Sequence, residues 1–143
     1  QEMEEEEIYL RMQQETPWFI YITDLSEYTM QMHSEQGVKD NINGAMSNLF
    51  EKGYLHNIFF FACMQEDKRI DVLGKSVYEK FVSGKQGIHM GGNVASQKFF
   101  DFTGMSYSEQ TATEKKGIGI APPTESEPYH KVVIPMAKGW QGN

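Results

Sequence analysis

The sequence predicts an α/β protein, a three-layer sandwich in which helices cover both faces of a mainly parallel sheet. The unbroken apolar runs Trp18 to Ile22 and Ile58 to Ala62 are typical of strands that are buried on both faces. Helical stripes, in which apolar residues recur three and four positions apart, lie between and after these runs. Because strands and helices alternate along the chain, we expect neighbouring parallel strands joined by right-handed crossovers.

The length and composition predict one folded domain over residues 1 to 143. A chain of 143 residues can bury roughly two thirds of its unfolded surface around a single core. The longest apolar runs are far shorter than the ~20 residues of a membrane span, which predicts a soluble chain. The sequence begins with Gln1 and shows no signal pattern, so we expect a segment of a longer protein whose membrane anchor would precede it.

Charge and cysteine content narrow the classes of function. The net charge is -7 at pH 7 and no stretch concentrates Lys and Arg, which disfavours direct binding of nucleic acid. The one cysteine, Cys63, lies in the apolar run Ile58 to Met64, which predicts an inert core thiol rather than a nucleophile. A single cysteine builds no disulfide framework, as suits a reducing cytoplasm.

Periodicity, together with glycine and proline stops, predicts the remaining helices. The acidic segment that starts at Glu4 predicts a helix that ends before Pro17. Two further helices carry Ile42 to Phe50 and Leu73 to Val82, and they end at Gly53 and Gly84. Residues 95 to 100 predict a short helix, and residues 106 to 116, which lack a clear period, predict a loop.

Three more segments have the composition of strands. We expect Ile88 to Met90 to be the third parallel strand, beside the first two. Gly117 to Ala121 and Lys131 to Pro135 flank a proline-rich turn, which predicts an antiparallel pair at one edge of the sheet.

Three positions that directly follow predicted strands form one candidate ligand-binding rim: Asp24, Gln65 and the pair Gly91 and Gly92. Asp24 has the position of a Walker B aspartate, which holds a Mg²⁺-bound nucleotide, and the alternative is that it caps the following helix. Leu25 occupies the next position, where an active motor usually has a second carboxylate. Glu27 is the nearest carboxylate, but on a helical turn it should point elsewhere, which argues against hydrolysis at this site.

The spacing of the other candidate residues does not match known catalytic or metal-binding motifs. The segment Gly74 to Ser76 suggests a phosphate loop, but the full pattern requires glycine where Arg69 stands, so we interpret the segment as ordinary helix residues. We expect a true phosphate loop to precede residue 1. The histidines have no metal-ligand spacing and G-x-S-x-G is absent, so we predict no metal site and no catalytic nucleophile.

In their order and spacing, these motifs resemble the FtsK/SpoIIIE motor ATPases. The run Phe19 to Asp24 looks like their Walker B strand, and Ile58 to Gln65 looks like the following strand with its sensor glutamine. Likeness to the last ATPase domain of the EssC family of type VII secretion proteins is carried by Gln86 to Gly92, Gln97 to Asp101 and Lys116 to Ile120. The resemblance covers nearly the whole chain from about Trp18 onward.

The resemblance implies the carboxyl-terminal half of a RecA-like P-loop ATPase domain, with Asp24 as a nucleotide and Mg²⁺ ligand and Gln65 as the sensor. It further implies a cytoplasmic domain of a membrane-anchored bacterial protein that exports helical hairpins of the WXG type. ATP and Mg²⁺ would bind the full domain and would not bind this chain tightly. The implied partners are exported WXG-type proteins, neighbouring ATPase domains and further copies in a hexamer. The terminal domain of this family is often degenerate for hydrolysis, which agrees with Leu25.

Three functions are compatible with these motifs. The first is a degenerate motor domain that docks a secretion signal or a neighbouring ATPase domain. The second is an active ATPase whose phosphate-loop half lies outside this chain, and the third is an unrelated small α/β domain. The methionines could line an adaptable docking groove or fill the core, and the helix over Leu73 to Val82 is the candidate docking surface.

Overall fold

The computed structural model describes residues 4–34, 39–124 and 128–135. The chain divides into two compact units, Gln1–Ser83 and Gly84–Asn143, called here the first and second units. The structure is a small α/β protein with one sheet in each unit. Within the described ranges, no helix combines the length and the apolar character that crossing a membrane requires.

Residues 4–34 and 39–83 of the first unit form five α-helices and two strands. The α-helices are α1 (Glu5–Met12), α2 (Leu25–Met32), α3 (Lys39–Lys52), α4 (Arg69–Val72) and α5 (Ser76–Val82). The strands are β1 (Trp18–Ile22) and β2 (Ile58–Ala62), and short 3₁₀ turns cover Gly53–His56 and Glu66–Lys68. The helix predicted before Pro17 and the helix predicted to stop at Gly53 are both confirmed.

The two strands of the first unit pair in parallel, as the sequence predicts. Their register runs from Trp18 opposite Ile58 to Ile22 opposite Ala62. Because side chains alternate between the faces of a strand, Ile20 and Phe60 point to one face and Phe19 and Phe61 to the other.

Among the described residues, helices cover only one of these faces. Phe60 meets the ring of Phe50 in α3 edge to face, with ring centroids 4.8 Å apart, and Phe50 meets Phe81 in α5 at 5.1 Å. Leu25 of α2 and Val77 of α5 are buried in the same unit. On this side Ile22 is buried, whereas Ile20 is 37% exposed and Trp18 is 68% exposed. The packed interior of the first unit therefore lies against Ile22 and Phe60.

The prediction that β1 is buried on both faces is wrong. Phe19 is 66% exposed, Tyr21 is 62% exposed and Phe61 of β2 is 53% exposed. Cys63, expected to be an inert core thiol, is exposed as well. The first unit has two layers, one sheet and one set of helices, where a three-layer sandwich is predicted.

The helix predicted over Leu73 to Val82 is interrupted near its start. α4 ends at Val72, Gly74 adopts a left-handed φ of 76°, and α5 begins at Ser76. The predicted helical interpretation of Gly74 and Lys75 is therefore wrong. The apolar stripe of α5 faces inward, since Val77 and Tyr78 are buried, so this helix does not offer the apolar docking surface that the sequence suggests.

The second unit is built around an antiparallel sheet. Its described residues form the strands β3 (His89–Gly92), β4 (Glu114–Ala121) and β5 (His130–Val133), in the order β3-β4-β5, and the helix α6 (Tyr107–Thr111). The predicted antiparallel pairing of β4 with β5 is confirmed. The prediction that Ile88 to Met90 lies in parallel beside β1 and β2 is wrong, because β3 pairs antiparallel with β4 in a separate sheet.

Glycines lie at a close contact between β3 and β4 and at the irregular end of β3. Gly119 of β4 faces Met90, and a Cβ atom at Gly119 would crowd the side chains of Ile88 and Met90, which would have to shift. Beyond Met90 the register shifts, and Gly91 and Gly92 take φ values of 66° and 61°, which glycine adopts without strain. These glycines therefore serve the irregular end of β3.

The core of the second unit comes largely from segments that the sequence leaves unassigned. Val94, Phe102, Met105 and Ile120 form a buried cluster.

No helix forms over residues 95 to 100, where one is predicted. Conversely, α6 and the start of β4 lie inside the predicted loop over residues 106 to 116. Helix α6 begins with a capping box between Ser106 and Glu109, a sequence signal that periodicity alone misses.

We predict that Phe60→Ala destabilises the first unit far more than Phe61→Ala. Phe60 packs against Phe50, so its truncation should lower the free energy of unfolding by about 2 to 4 kcal/mol, while the exposed Phe61 should lose less than about 1 kcal/mol. Urea denaturation followed by far-UV circular dichroism measures both. Equal losses would contradict a sheet that is covered on one face.

Candidate functional site

Asp24 and Gln65 lie at one edge of the first sheet. Each residue follows the carboxyl end of a strand, and Ile22 and Ala62 are the last paired positions of β1 and β2. Two backbone hydrogen bonds extend the pairing, from Cys63 N to Ile22 O at 3.0 Å and from Leu25 N to Cys63 O at 2.8 Å. Parallel pairing therefore brings together two of the three predicted rim positions.

The third rim position belongs elsewhere in the fold. Gly91 and Gly92 end β3, which runs antiparallel to β4 in the other sheet. The predicted rim requires three parallel strands in one sheet. Because β3 belongs to the other sheet, the prediction that Gly91 and Gly92 share a rim with Asp24 and Gln65 is wrong.

The Asp24 carboxylate caps helix α2. Its Oδ1 accepts hydrogen bonds from the backbone N–H of Ser26 at 2.9 Å, from the Ser26 hydroxyl at 2.6 Å and from the backbone N–H of Glu27 at 3.1 Å. These bonds, chiefly the one from the Ser26 hydroxyl, lower the pKa of Asp24 below its ordinary value, and the positive charge of Lys68 adds a small effect. The carboxylate is therefore held ionised and oriented along the start of α2.

The neighbours of Asp24 add no second carboxylate to this edge. Leu25 is 3% exposed and packs into the interior of the unit. Glu27 lies on the first turn of α2, and its Oε1 accepts a hydrogen bond from Gln31 Nε2 at 3.2 Å, further along the same helix. The prediction that Glu27 points away from the Asp24 position agrees with this contact.

The described residues do not fit a complete site for Mg²⁺ and ATP. Asp24 could supply one carboxylate ligand and Gln65 one amide oxygen, but no cluster of three or more His, Cys, Asp or Glu among the described residues could hold a metal ion. Mg²⁺ bound to nucleotides uses one or two carboxylates together with substrate phosphates, and the phosphates need a cradle of backbone amides and a lysine. That cradle has no counterpart in the sequence, which lacks the phosphate-loop pattern.

A second candidate site is the uncovered side of the first sheet, the aromatic face, which consists of Phe19, Tyr21, Phe59 and Phe61. The ring centroid of Phe19 lies 5.6 Å from that of Phe59 and 6.0 Å from that of Phe61. The Tyr21 hydroxyl lies 2.8 Å from the Cys63 sulfur, and this hydrogen bond is the main cause of a raised Tyr21 pKa. The result is a continuous apolar surface with one polar pair at its end.

The sequence interpretation missed this face, although a signal for it exists. Strands buried on both faces are rich in Val, Ile and Leu, whereas β1 reads Trp-Phe-Ile-Tyr-Ile. Tyr21 carries a hydroxyl that needs a polar partner or water, and Trp and Tyr are enriched where one end of a ring stays wet. Those two residue types indicate an interaction surface rather than a closed interior.

The resemblance to FtsK/SpoIIIE ATPases rests on motifs between Phe19 and Ile120. No protein-family model, curated protein or solved structure matches the chain. The family therefore stays a prediction from those motifs, and the candidate sites rest on the geometry of the chain's own residues.

We predict that Asp24→Ala lowers the free energy of unfolding by about 1 kcal/mol, because it removes the cap of α2. Asp24→Asn is the matched control, since asparagine caps helices nearly as well and carries no charge. The wild-type advantage over Asp24→Asn should be present above the unfolded pKa of about 3.9 and should fall as the pH drops through the lower folded pKa. Urea titrations across acidic pH test this, and a wild-type advantage that grew on acidification would contradict it.

Proposed function

We propose that this chain is a protein-binding module, the carboxyl-terminal part of an FtsK/SpoIIIE-type ATPase domain in a type VII secretion protein. In this proposal it is a cytoplasmic part of a bacterial membrane protein and contacts exported WXG-type hairpins or a neighbouring ATPase domain. The observation that carries the proposal is the exposed aromatic face. The parallel pair β1 and β2, with Asp24 and Gln65 at its carboxyl edge, is the feature that agrees with such a domain, whereas the two separate sheets of the described residues do not form a clear RecA-like fold.

The size of the aromatic face supports an interaction role. The exposed parts of Phe19, Tyr21 and Phe61 sum to about 350 Å², if each aromatic side chain contributes roughly 200 Å². Contiguous apolar patches of that size on a soluble protein are often functional. If a partner buried these three neighbouring aromatic rings, they would act as the anchor residues that dominate the binding energy of protein interfaces.

A helical partner suits this face better than an extended one. The aromatic face is the side of a parallel sheet, and parallel sheets are covered by helices on both sides. A helix from a hairpin protein can present apolar side chains at positions i, i+3 and i+4 to the rings. An extended peptide would instead need the backbone groups of a strand edge.

The second candidate function, an active ATPase completed by a phosphate-loop half, is favoured by the shared edge of Asp24 and Gln65. Against it stand the burial of Leu25 and the engagement of Asp24 Oδ1 by three donors of α2. A hydrolytic site needs a group that orients the attacking water, and Leu25 cannot do this.

We predict that the chain neither hydrolyses ATP nor binds Mg-ATP tightly, because no phosphate cradle is encoded in it. Calorimetric titration with Mg-ATP should give no saturable heat in the low micromolar range. A low-micromolar dissociation constant that Asp24→Ala abolishes would overturn the prediction and favour the second candidate function.

We predict that the double variant Tyr21→Ser and Phe61→Ser weakens capture of a cognate WXG-type hairpin at least tenfold, because it removes two exposed anchors. The matched control is Tyr107→Ser with Val133→Ser, which changes an 82% exposed tyrosine and a 71% exposed valine in the second unit. Titration calorimetry of each variant against the hairpin gives the dissociation constants. Raising the salt to physiological strength should change them little, because the contact is apolar.

Two further outcomes decide between the components of this proposal. Deleting the carboxyl-terminal tail of the hairpin should weaken capture if the secretion signal docks on the aromatic face. Equal capture by the double variant and its control would remove the aromatic face as the docking surface. Equal capture with and without the tail would remove the tail as the docked segment.

A further inference from the structure

A cleft of about 700 Å³ opens at the opposite end of the first sheet. It lies between helix α1 and the first residues of both strands, Trp18 of β1 and Ile58 of β2. A five-residue strand spans about 13 to 16 Å at roughly 3.3 Å per residue, so the cleft is well separated from Asp24 and Gln65. It is also distinct from the aromatic face.

Several contacts hold the walls of the cleft together. Lys52 at the end of α3 forms an ion pair with Glu5 of α1, with 2.7 Å between Nζ and Oε1. The side-chain amide of Asn57 donates to the carbonyl of Glu15 at 2.8 Å, and the Trp18 N–H donates to the carbonyl of Asn57 at 2.9 Å. Asn57 is buried with a φ of 57°, a conformation that asparagine tolerates. The segment between α1 and β1 is therefore tied to the turn before β2.

The lining combines an apolar wall with two nitrogen donors. Ile8, Met12 and Ile58 are half-buried, and the ring of Trp18 is 68% exposed. Arg11 and His56 also line the cleft. Half of the lining residues are polar or charged, namely Arg11, Glu15, Thr16 and His56, and the cleft opens widely to solvent. Its volume lies within the range of small-molecule sites.

The lining carries one cationic side chain, Arg11, and one carboxylate, Glu15, so an anion could be held only by direct contact with Arg11. Within the described residues the Arg11 guanidinium has no ion-pair partner, and its fork of N–H groups matches a carboxylate or phosphate in a bidentate arrangement. Glu15 is the one carboxylate among the lining residues. A flat ring stacked on Trp18 could place its anionic group at Arg11.

We propose that this cleft binds a planar aromatic compound that carries a carboxylate or a phosphate. Trp18 and the apolar side chains hold the ring, and Arg11, assisted by His56, holds the anionic group. The site does not depend on the proposed secretion function, because none of its lining residues belongs to the aromatic face or to the Asp24 edge.

Fluorescence of Trp18 gives a direct test. The sequence has a second tryptophan, Trp140, so the titrations use a Trp140→Phe background in which Trp18 is the sole reporter. Benzoate and AMP are the anionic probes, and benzamide and adenosine are their neutral counterparts. We expect a saturable change with a dissociation constant below about 1 mM for at least one anion, and binding at least tenfold weaker for its neutral counterpart.

Substitutions assign the anion contact to Arg11. Arg11→Gln should raise the dissociation constant about tenfold, and Arg11→Lys should restore affinity only in part, because it keeps the charge and loses the fork. Glu15→Gln should tighten binding by removing the opposing charge. Lys98→Gln, which makes the same charge change at an exposed residue of the second unit, should leave affinity unchanged. Far-UV circular dichroism verifies that each variant is folded.

The relative affinities for benzoate and AMP distinguish an aromatic carboxylate from a nucleotide as the ligand. Tighter binding of benzoate assigns the cleft to aromatic carboxylates, and tighter binding of AMP assigns it to nucleotides. The proposal is overturned if neither anion gives a saturable change, if the neutral counterparts bind equally well, or if Arg11→Gln and Lys98→Gln have the same effect.

Discussion

The parallel pairing of β1 with β2 is the constraint on which the functional features of the first unit depend. It places Asp24 and Gln65 at one edge, and it places Trp18 and Ile58 at the other, where the cleft opens. It also sorts alternate side chains of both strands onto opposite faces. The positions of the Asp24 and Gln65 edge, the cleft and the aromatic face therefore all follow from the register in which β1 pairs with β2.

Packing on one side alone keeps this small sheet in place. Two strands by themselves are marginally stable in water, and helices that cover one face supply the missing burial. The rings of Phe50, Phe60 and Phe81 provide that contact in two edge-to-face pairs. The other face remains apolar and uncovered, so the feature that suggests a binding partner arises from an incomplete layer.

The sequence predicts that Asp24 and Gln65 lie at the carboxyl ends of β1 and β2, but it leaves the role of Asp24 open. An aspartate after an apolar strand indicates both a nucleotide ligand and a helix cap, and the three donors gathered on Asp24 Oδ1 show that capping is realised. Gly91 and Gly92 could not be placed from local pattern, because their position depends on the partner that β3 chooses. In the structure β3 pairs with β4, where Met90 lies opposite Gly119, a residue far along the chain.

Local sequence determined the two strands of the first unit, the helix ends at Pro17 and Gly53, and the antiparallel pairing of β4 with β5. These features depend on apolar runs, on proline and glycine geometry and on short connections, all of which act over a few residues. Only the tertiary structure decided that β3 leaves the parallel sheet, that α4 and α5 are separate, and that Phe19 and Tyr21 face outward. The physical reason is that an apolar run specifies which residues prefer burial, whereas which face is covered depends on how many helices the rest of the chain can pack against it.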